Sequence, residues 1–563
     1  MAGGLLNLIA YGNQNIIMHG NPTKSFFKKK YVKYTNFGLQ KFRIDQFGQT
    51  NLSLSKPSNY KFKISRYGDL LMDTYLVFTL PKIWSPILKY NDTEYRPYQF
   101  KWIKNIGTEI IKEITFTIGG HIIQKFSGSF LKNIVERDFN SKKEAFNIMI
   151  GNHNDLIDPA NFSNRDNNYP NAFRNEDNDT SGCEPSIPET QIYVPINTWY
   201  NFLSTTALPL ICLQYAELEI NFTLRPIQEL FVIKDVAYDA NQNEVTCYEN
   251  IPYIQPKQSQ NELYGFYRFI NEPPVRDISI NFQYKDTRMS SNFDVHLMTT
   301  QCFLDNEERS LFAENSQEYL IREVHEYDFE KINKSNKIKL ESYGLVSNWM
   351  WYFQRNDVFK RNEWSNYSNW PYEYKLPNDL IKLKNLSDQD ILYPLSTTSL
   401  YQDVSKNIYI TGPEINDFSQ KNFRDILKNF AIICDGKYRE NSMPAGVYDK
   451  IEKYSRTTGS SINGLYFYNF CLTTDPMIYQ PSGVFNTNKF KNIEFEYNLT
   501  ENPPFDSSNV NFSVICDPDS GEVIATSKEP TSIYKYNYNL HIYEERYNIL
   551  KFQSGTAALV YSR

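Results

Sequence analysis

Apolar and polar side chains alternate along much of this chain. Tyr60, Phe62 and Ile64 are interleaved with Lys61, Lys63 and Ser65, and Ile114, Phe116 and Ile118 with Thr115 and Thr117. The cleanest run sets Ala216, Leu218, Ile220, Phe222 and Leu224 against Glu217, Glu219, Asn221 and Thr223, and stops at Arg225-Pro226. Successive side chains of a strand point to opposite faces, so a period of two predicts strands with one wet and one dry side. The pattern returns at Ile278, Ile280, Phe282 and Tyr284, at Ile493, Phe495, Tyr497 and Leu499, and at Tyr534, Tyr536, Tyr538, Leu540 and Ile542. Helical spacing is confined to Phe423, Ile426, Leu427 and Phe430 and to residues 129–139, which read as short decorations. The chain is therefore expected to be all-β, and its 7 Trp, 42 Tyr and 38 Phe suit half-buried pleated surfaces.

At 563 residues, two large sandwiches fit the chain as well as three or four smaller domains. Residues 236–275 are polar and irregular, with Pro252, Pro256 and the pair Pro273-Pro274, which marks a break between two strand-rich halves. The expected division is an arm over 1–25, one sandwich over 26–235, a linker over 236–261 and a second sandwich over 262–563. No repeat of sequence relates the halves. Residues 151–190 and 330–415 are rich in Asn and poor in strand pattern, and read as long surface loops.

A formal charge of −6 gives no overall attraction to polyanions, so direct nucleic-acid binding is not expected. Seven cysteines without metal-ligand spacing read as free thiols of a reducing compartment. The opening residues lack the basic start and long apolar core of a secretion signal. Ala2 excludes myristoylation, and no apolar run reaches the ~20 residues that span a bilayer, so only indirect membrane contact is expected.

Chemistry finds little support in the residue pattern. The six histidines, at 19, 121, 153, 296, 325 and 541, are scattered and no His-Glu-x-x-His or Cys-x-x-Cys occurs, so catalytic, metal and cofactor-binding residues are all read as none. Gly119-Gly120-His121 lacks the Lys-Ser/Thr of a phosphate loop and reads as a hairpin turn. Cys434-Asp435-Gly436-Lys437 lacks a Lys two positions before its Asp, where Ile433 stands, and also reads as a turn. Phe26 to Tyr34 interleaves Lys28, Lys29, Lys30 and Lys33 with aromatics, and reads as a strand with a solvated or interface side rather than a nucleic-acid groove. Trp349, Trp351, Trp364 and Trp370 suggest either a sugar platform or plain loop packing. The sequons at Asn161 and Asn366 are what an Asn-rich chain produces by chance.

The segments LYFYNFCLTTDPMIYQPSGVFNTNKF (465–490) and YNILKFQSGTAALVYSR (547–563) carry Phe470, Leu472, Pro476, Gln480, Pro481, Ser482, Gly483, Asn486, Ser554 and Gly555. In these positions the chain resembles the major capsid proteins of nucleocytoplasmic large DNA viruses. Matches continue in order with Asn21-Pro22, Phe26-Phe27, Tyr31 and Thr35-Asn36-Phe37, then with 68–81, 102–125, 207–220 and 303–321. Asn486-Thr487-Asn488 and Ala216 depart from the usual pattern, and the Lys-rich first strand is similar to mimivirus-like members. The resemblance implies two tandem eight-stranded jelly-roll sandwiches, a homotrimeric pseudo-hexagonal capsomer, contacts with neighbouring capsomers and with minor capsid and penton proteins, and a place in the virion after assembly in the host cytoplasm. It implies a structural protein and not an enzyme. The other functional class in view is a carbohydrate-binding or carbohydrate-active sandwich, suggested by the tryptophans with Asp435 and Glu440.

Overall fold

The computed structural model describes residues 3–48, 51–89, 95–165, 168–170, 184–234, 265–272, 284–370, 372–373, 400–403, 408–411, 424–460, 462–500, 513–516, 523–527 and 536–561. Its first eight long strands are β1 (Phe37–Asp45), β2 (Ser58–Lys63), β3 (Leu70–Leu80), β4 (Ile111–Ile118), β5 (His121–Phe126), β6 (Thr190–Pro195), β7 (Leu218–Leu224) and β8 (His296–Leu304). They pair antiparallel in two sheets, ordered β1-β8-β3-β6 and β2-β7-β4-β5. The next eight are β9 (Gln317–Ile332), β10 (Ser335–Leu340), β11 (Leu345–Arg355), β12 (Leu427–Cys434), β13 (Lys437–Pro444), β14 (Leu465–Asn469), β15 (Ile493–Leu499) and β16 (Tyr538–Gln553). Their sheets run β9-β16-β11-β14 and β10-β15-β12-β13. Numbered within its own half, each set follows the same path: first-eighth-third-sixth facing second-seventh-fourth-fifth. That is the jelly roll, built twice.

Strands with one wet face form where the alternation placed them. β2, β7 and β15 alternate strictly between buried and partly or fully exposed positions. Two hairpins turn as expected, at Gly119-Gly120 between β4 and β5 and at Asp435-Gly436 between β12 and β13. Both residues of each turn have positive φ, 56° and 85° in the first and 47° and 79° in the second, which matches the right-handed twist of the flanking strands.

Other expectations are corrected. The restart at 262 fails because β8 hydrogen-bonds both β1 and β3, so the first roll closes only at Leu304. Residues 330–355 are not loop: β9 ends there, and β10 and β11 follow. β11 hid from the alternation because both its faces are buried, Trp349, Trp351 and Phe353 in the second roll's core and Met350 and Tyr352 against the first roll. Of the helical spacing at Phe423, Ile426, Leu427 and Phe430, the first lies outside the described residues, Ile426 directly precedes β12, and Leu427 and Phe430 belong to β12, where cross-strand pairing overrides it. The lysine-rich stretch 28–36 carries no strand; β1 begins at Phe37. Helix α1 (Gly128–Asp138) does form over the expected 129–139, but it is a buried wedge rather than a decoration. The alternating run from Ile278 to Phe282 and Tyr534 lie outside the described residues, as do most of 151–190 beyond residue 170 and most of 356–423.

Strand directions give the molecule two ends. Connections after odd-numbered strands leave at one end, and among them are the long ones: 81–110, 127–189, 225–295, 356–426 and 500–537. Those after even-numbered strands leave at the other end and include tight links at 64–69, 119–120, 341–344 and 435–436. The rolls point the same way. Asn362 Nδ2 donates to the carbonyls of Gln228 and Phe231 (2.9 Å each) at the long-loop end, and Tyr215 N donates to Gly555 O (3.0 Å) at the other.

Trp351 is fully buried and stacks on Phe430 with centroids 4.3 Å apart. Trp351→Ala is expected to lower the unfolding free energy by about 3–5 kcal/mol in chemical denaturation. Tyr454→Ala, at a side chain 93% exposed, is expected to stay within about 0.5 kcal/mol of the parent.

Candidate assembly surfaces

The residues brought together from opposite halves lie where α1 enters the second roll. The last turn of a helix leaves carbonyls without intrahelical donors. Here the second roll supplies them: Lys453 Nζ donates to Glu136 O (2.7 Å) and Arg137 O (3.1 Å), and Gly459 N to Arg137 O (2.8 Å). A Cβ at position 459 would lie 2.7 Å from the Arg137 carbonyl carbon, so a side chain there is excluded. Burial lowers the Lys453 ammonium to about 8.

Arg137 itself is fully enclosed. Its Nη1 meets Glu545 Oε1 at 2.6 Å and donates to Asn348 Oδ1 at 3.0 Å, while Nε donates to Asp138 Oδ2 at 2.8 Å. Asp138 Oδ1 accepts from Thr474. Burial opposes the charge on Arg137, yet the two carboxylates hold its pKa above the ordinary value. Burial likewise opposes Glu545, which Arg137 nevertheless holds below its usual value, whereas at Asp138 burial wins and the carboxyl is pushed up.

Around this cluster the packing is continuous. Phe130 of α1 stacks obliquely on Tyr543 (5.5 Å), Tyr367 OH donates to Asn133 Oδ1 (2.9 Å), and Ser365 Oγ donates to Glu109 Oε1 (2.8 Å). One apolar cluster runs from Phe126, Phe130 and Ile134 into Ile321, Met350, Tyr352 and Phe552. Glu326 sits at its margin, accepting from Ser127 N (2.7 Å) and Ser127 Oγ (2.9 Å). Burial pushes its carboxyl up to about 7 against those two bonds, with the charges of Asp328 and Glu113 adding to the rise.

None of these residues was singled out by sequence pattern. The available signal was charge in apolar surroundings: Arg137-Asp138 ends a stretch that otherwise reads as core, and Glu544-Glu545-Arg546 interrupts an apolar strand.

The residues that had suggested other chemistry do not converge. Trp349 and Trp351 are core; Trp364 lies under the Arg225 guanidinium (4.1 Å) and donates to Glu229 O (3.0 Å). Asp435 Oδ1 ties its own turn by accepting from the amides of Lys491 (3.0 Å) and Asn492 (2.8 Å), and Glu440 accepts from Tyr468 OH (3.0 Å). Asn366, 1% exposed, donates to Trp370 O, which bars a glycan there. His296 is buried beside the Asp294 carbonyl, His541 pairs with Asp328, and His325 packs on Tyr327. Cys212, Cys302, Cys434 and Cys471 are free thiols.

What remains is architecture: two like rolls, rigidly joined, with different ends. Comparison with known proteins agrees in both halves. Residues 25–271 match the family model for the major capsid protein N-terminus, and residues 308–558 that for the large eukaryotic DNA virus major capsid protein. The chain belongs to the major capsid proteins of large eukaryotic DNA viruses. β8 falls between the two matched spans, and its pairing assigns it to the first roll.

Among relatives of this capsid protein, the major capsid protein of Phaeocystis pouchetii virus is 25% identical over the full length of both chains. Capsid protein 1 of Acanthamoeba polyphaga mimivirus is 29% identical over 60% of this chain, a match spanning 46% of that relative. In three dimensions a chain of the PBCV-1 virus capsid superposes with a TM-score of 0.57 at 19% identity, covering 96% of this chain and 100% of that one. The Faustovirus major capsid protein gives 0.56 at 11% identity, covering 94% and 93%. At such identities these likenesses speak for the double jelly-roll fold. The carbohydrate reading finds no support in them.

Two outcomes follow from the junction. Arg137→Met should cost about 3–5 kcal/mol, because it leaves Asp138 and Glu545 buried without their counter-charge. R137M/E545M should cost less than R137M, as measured by denaturation. The raised Glu326 carboxyl makes the native state bind its proton more tightly than the unfolded chain does. Its contribution is full below the ordinary carboxylate value of 4.5 and is lost as pH rises through about 7. Glu326→Gln keeps an acceptor for Ser127 and should gain roughly 2 kcal/mol on the parent between pH 5 and pH 8, at about 1.4 kcal/mol per pKa unit. An unchanged difference across that range would refute the assignment.

Proposed function

We propose that three copies of this chain form a pseudo-hexagonal block that tiles the shell of an icosahedral virion. The observation that carries this reading is the strand path, repeated in both rolls and locked in one orientation through Arg137. Two like rolls side by side give each chain two similar flanks, so a threefold ring presents six. The proposed domain limits are 37–304 for the first roll and 317–559 for the second, with α2 (Asn306–Glu314) between them. The end with the long connections faces outward, since insertions there leave the flanks undisturbed. Neighbouring blocks, and minor capsid and penton proteins, are the expected contacts, with assembly in the host cytoplasm. The work is done by shape, and no catalytic residue is invoked.

Interfaces of permanent oligomers bury upwards of ~2,000 Å². Light scattering on recombinant protein is therefore expected to give three times the 66.2 kDa chain mass, and averaged electron micrographs a six-lobed outline. A stable monomer across micromolar concentrations would overturn the proposal.

A further inference from the structure

The segment before β1 has a character unlike the rest of the chain. No Asp or Glu occurs before Asp45, while Lys24, Lys28, Lys29, Lys30 and Lys33 cluster within it, in a protein whose net charge is −6. Every apolar side chain from Leu5 to Tyr34 is exposed, Phe26 and Phe27 at 100% and 99%. Thr35 Oγ1, donating to Glu308 Oε2 (2.8 Å), moors the segment's far end to α2. β1 starts at the end of the molecule opposite the long connections, so the segment emerges there.

We propose that residues 3–36 bind peripherally to the surface of an anionic lipid bilayer. A groove or sheet edge on a protein partner selects side chains at a fixed period, and residues 26–32 have none: Phe26 and Phe27 are adjacent, Lys28 to Lys30 contiguous, and Tyr31 and Val32 adjacent again. The one helical spacing in the segment, Leu5, Leu8 and Ile9 on the turn Leu5–Ile9, is wholly exposed, as an interfacial turn would be. A fluid interface makes no such demand. Aromatic rings settle at the headgroup level, aliphatic side chains enter the acyl boundary, and lysines extend to anionic headgroups. A nucleic acid strand would use the lysines and the rings, but it gives no purpose to exposed Leu5, Leu6, Leu8, Ile9, Ile16, Ile17 and Met18. Among the described residues no helix is long and apolar enough to cross a membrane. The expectation of indirect contact rested on that criterion, and peripheral binding does not require a spanning helix. The inference is independent of the trimer, because the segment lies outside both rolls.

Flotation of the full chain with phosphatidylcholine vesicles, with and without phosphatidylserine, tests this. Recovery with phosphatidylserine is expected to be at least ~10-fold higher and to fall with added salt. It is expected to be lost both in the variant Lys28→Glu/Lys29→Glu/Lys30→Glu/Lys33→Glu and in Phe26→Ser/Phe27→Ser, with unchanged unfolding midpoints. Recovery equal on both vesicle types, or retained in both variants, overturns the proposal. So does binding of duplex DNA without vesicle binding, or a variant that alters only the oligomeric mass, which would make the segment a contact between copies.

Discussion

One guanidinium between two carboxylates sets the geometry of the whole molecule. Arg137 belongs to the connection between the fifth and sixth strands of the first roll, and Glu545 to the last strand of the second. Enclosing such charges is costly unless every polar atom is placed, and apolar packing of equal volume often serves stability as well. What an ionic cluster adds is direction. The guanidinium fork accepts carboxylates in few geometries, so the rolls are held in one mutual orientation rather than pressed together along an apolar face that tolerates sliding.

The same junction explains why β11 looks unlike a strand in sequence. The sheet β9-β16-β11-β14 has one face toward its own core, through Trp349, Trp351 and Ile542, and the other toward α1, through Met350, Tyr352 and Tyr543. At β11, in the middle of this sheet, no face is left in water beyond its first residue, alternation disappears, and Leu345–Arg355 reads as an undivided aromatic run. Legibility follows solvent: β2, β4, β7 and β15, each with a wet side, stand out in the sequence, whereas β11 does not. β12 was misread because Ile426, Leu427 and Phe430 fit a helical stripe until the pairing with β15 is known. The junction residues were invisible for a different reason: the pair Arg137-Asp138 lies far in the chain from Asn348 and from Glu545, and only the fold gives them a common address.

The division of the chain was misplaced for a topological reason. In a jelly roll the eighth strand inserts between the first and the third, so the roll cannot close until the chain has returned from its longest excursion. Here that excursion runs over 225–295 before β8 begins at His296. Its prolines and polar residues carry the marks of a linker, and local composition cannot distinguish a linker from a loop whose two ends belong to one sheet. Loop closure depends only weakly on length, so such an insertion can be long at little thermodynamic cost.

Duplication of the path without duplication of sequence follows from what the path requires. Each roll needs eight segments able to bury a face, a tight turn between its fourth and fifth strands (119–120 in the first, 435–436 in the second), and connections that alternate between ends. None of these fixes particular side chains, so the halves are free to diverge wherever they do not touch. They touch at α1, and the two rolls are no longer equivalent there: α1, in the first roll's fifth-to-sixth connection, enters the second, where the corresponding connection, 445–464, caps it through Lys453 and Gly459. The asymmetry of the molecule is thereby built into its middle, where one roll's connection becomes the other roll's packing partner.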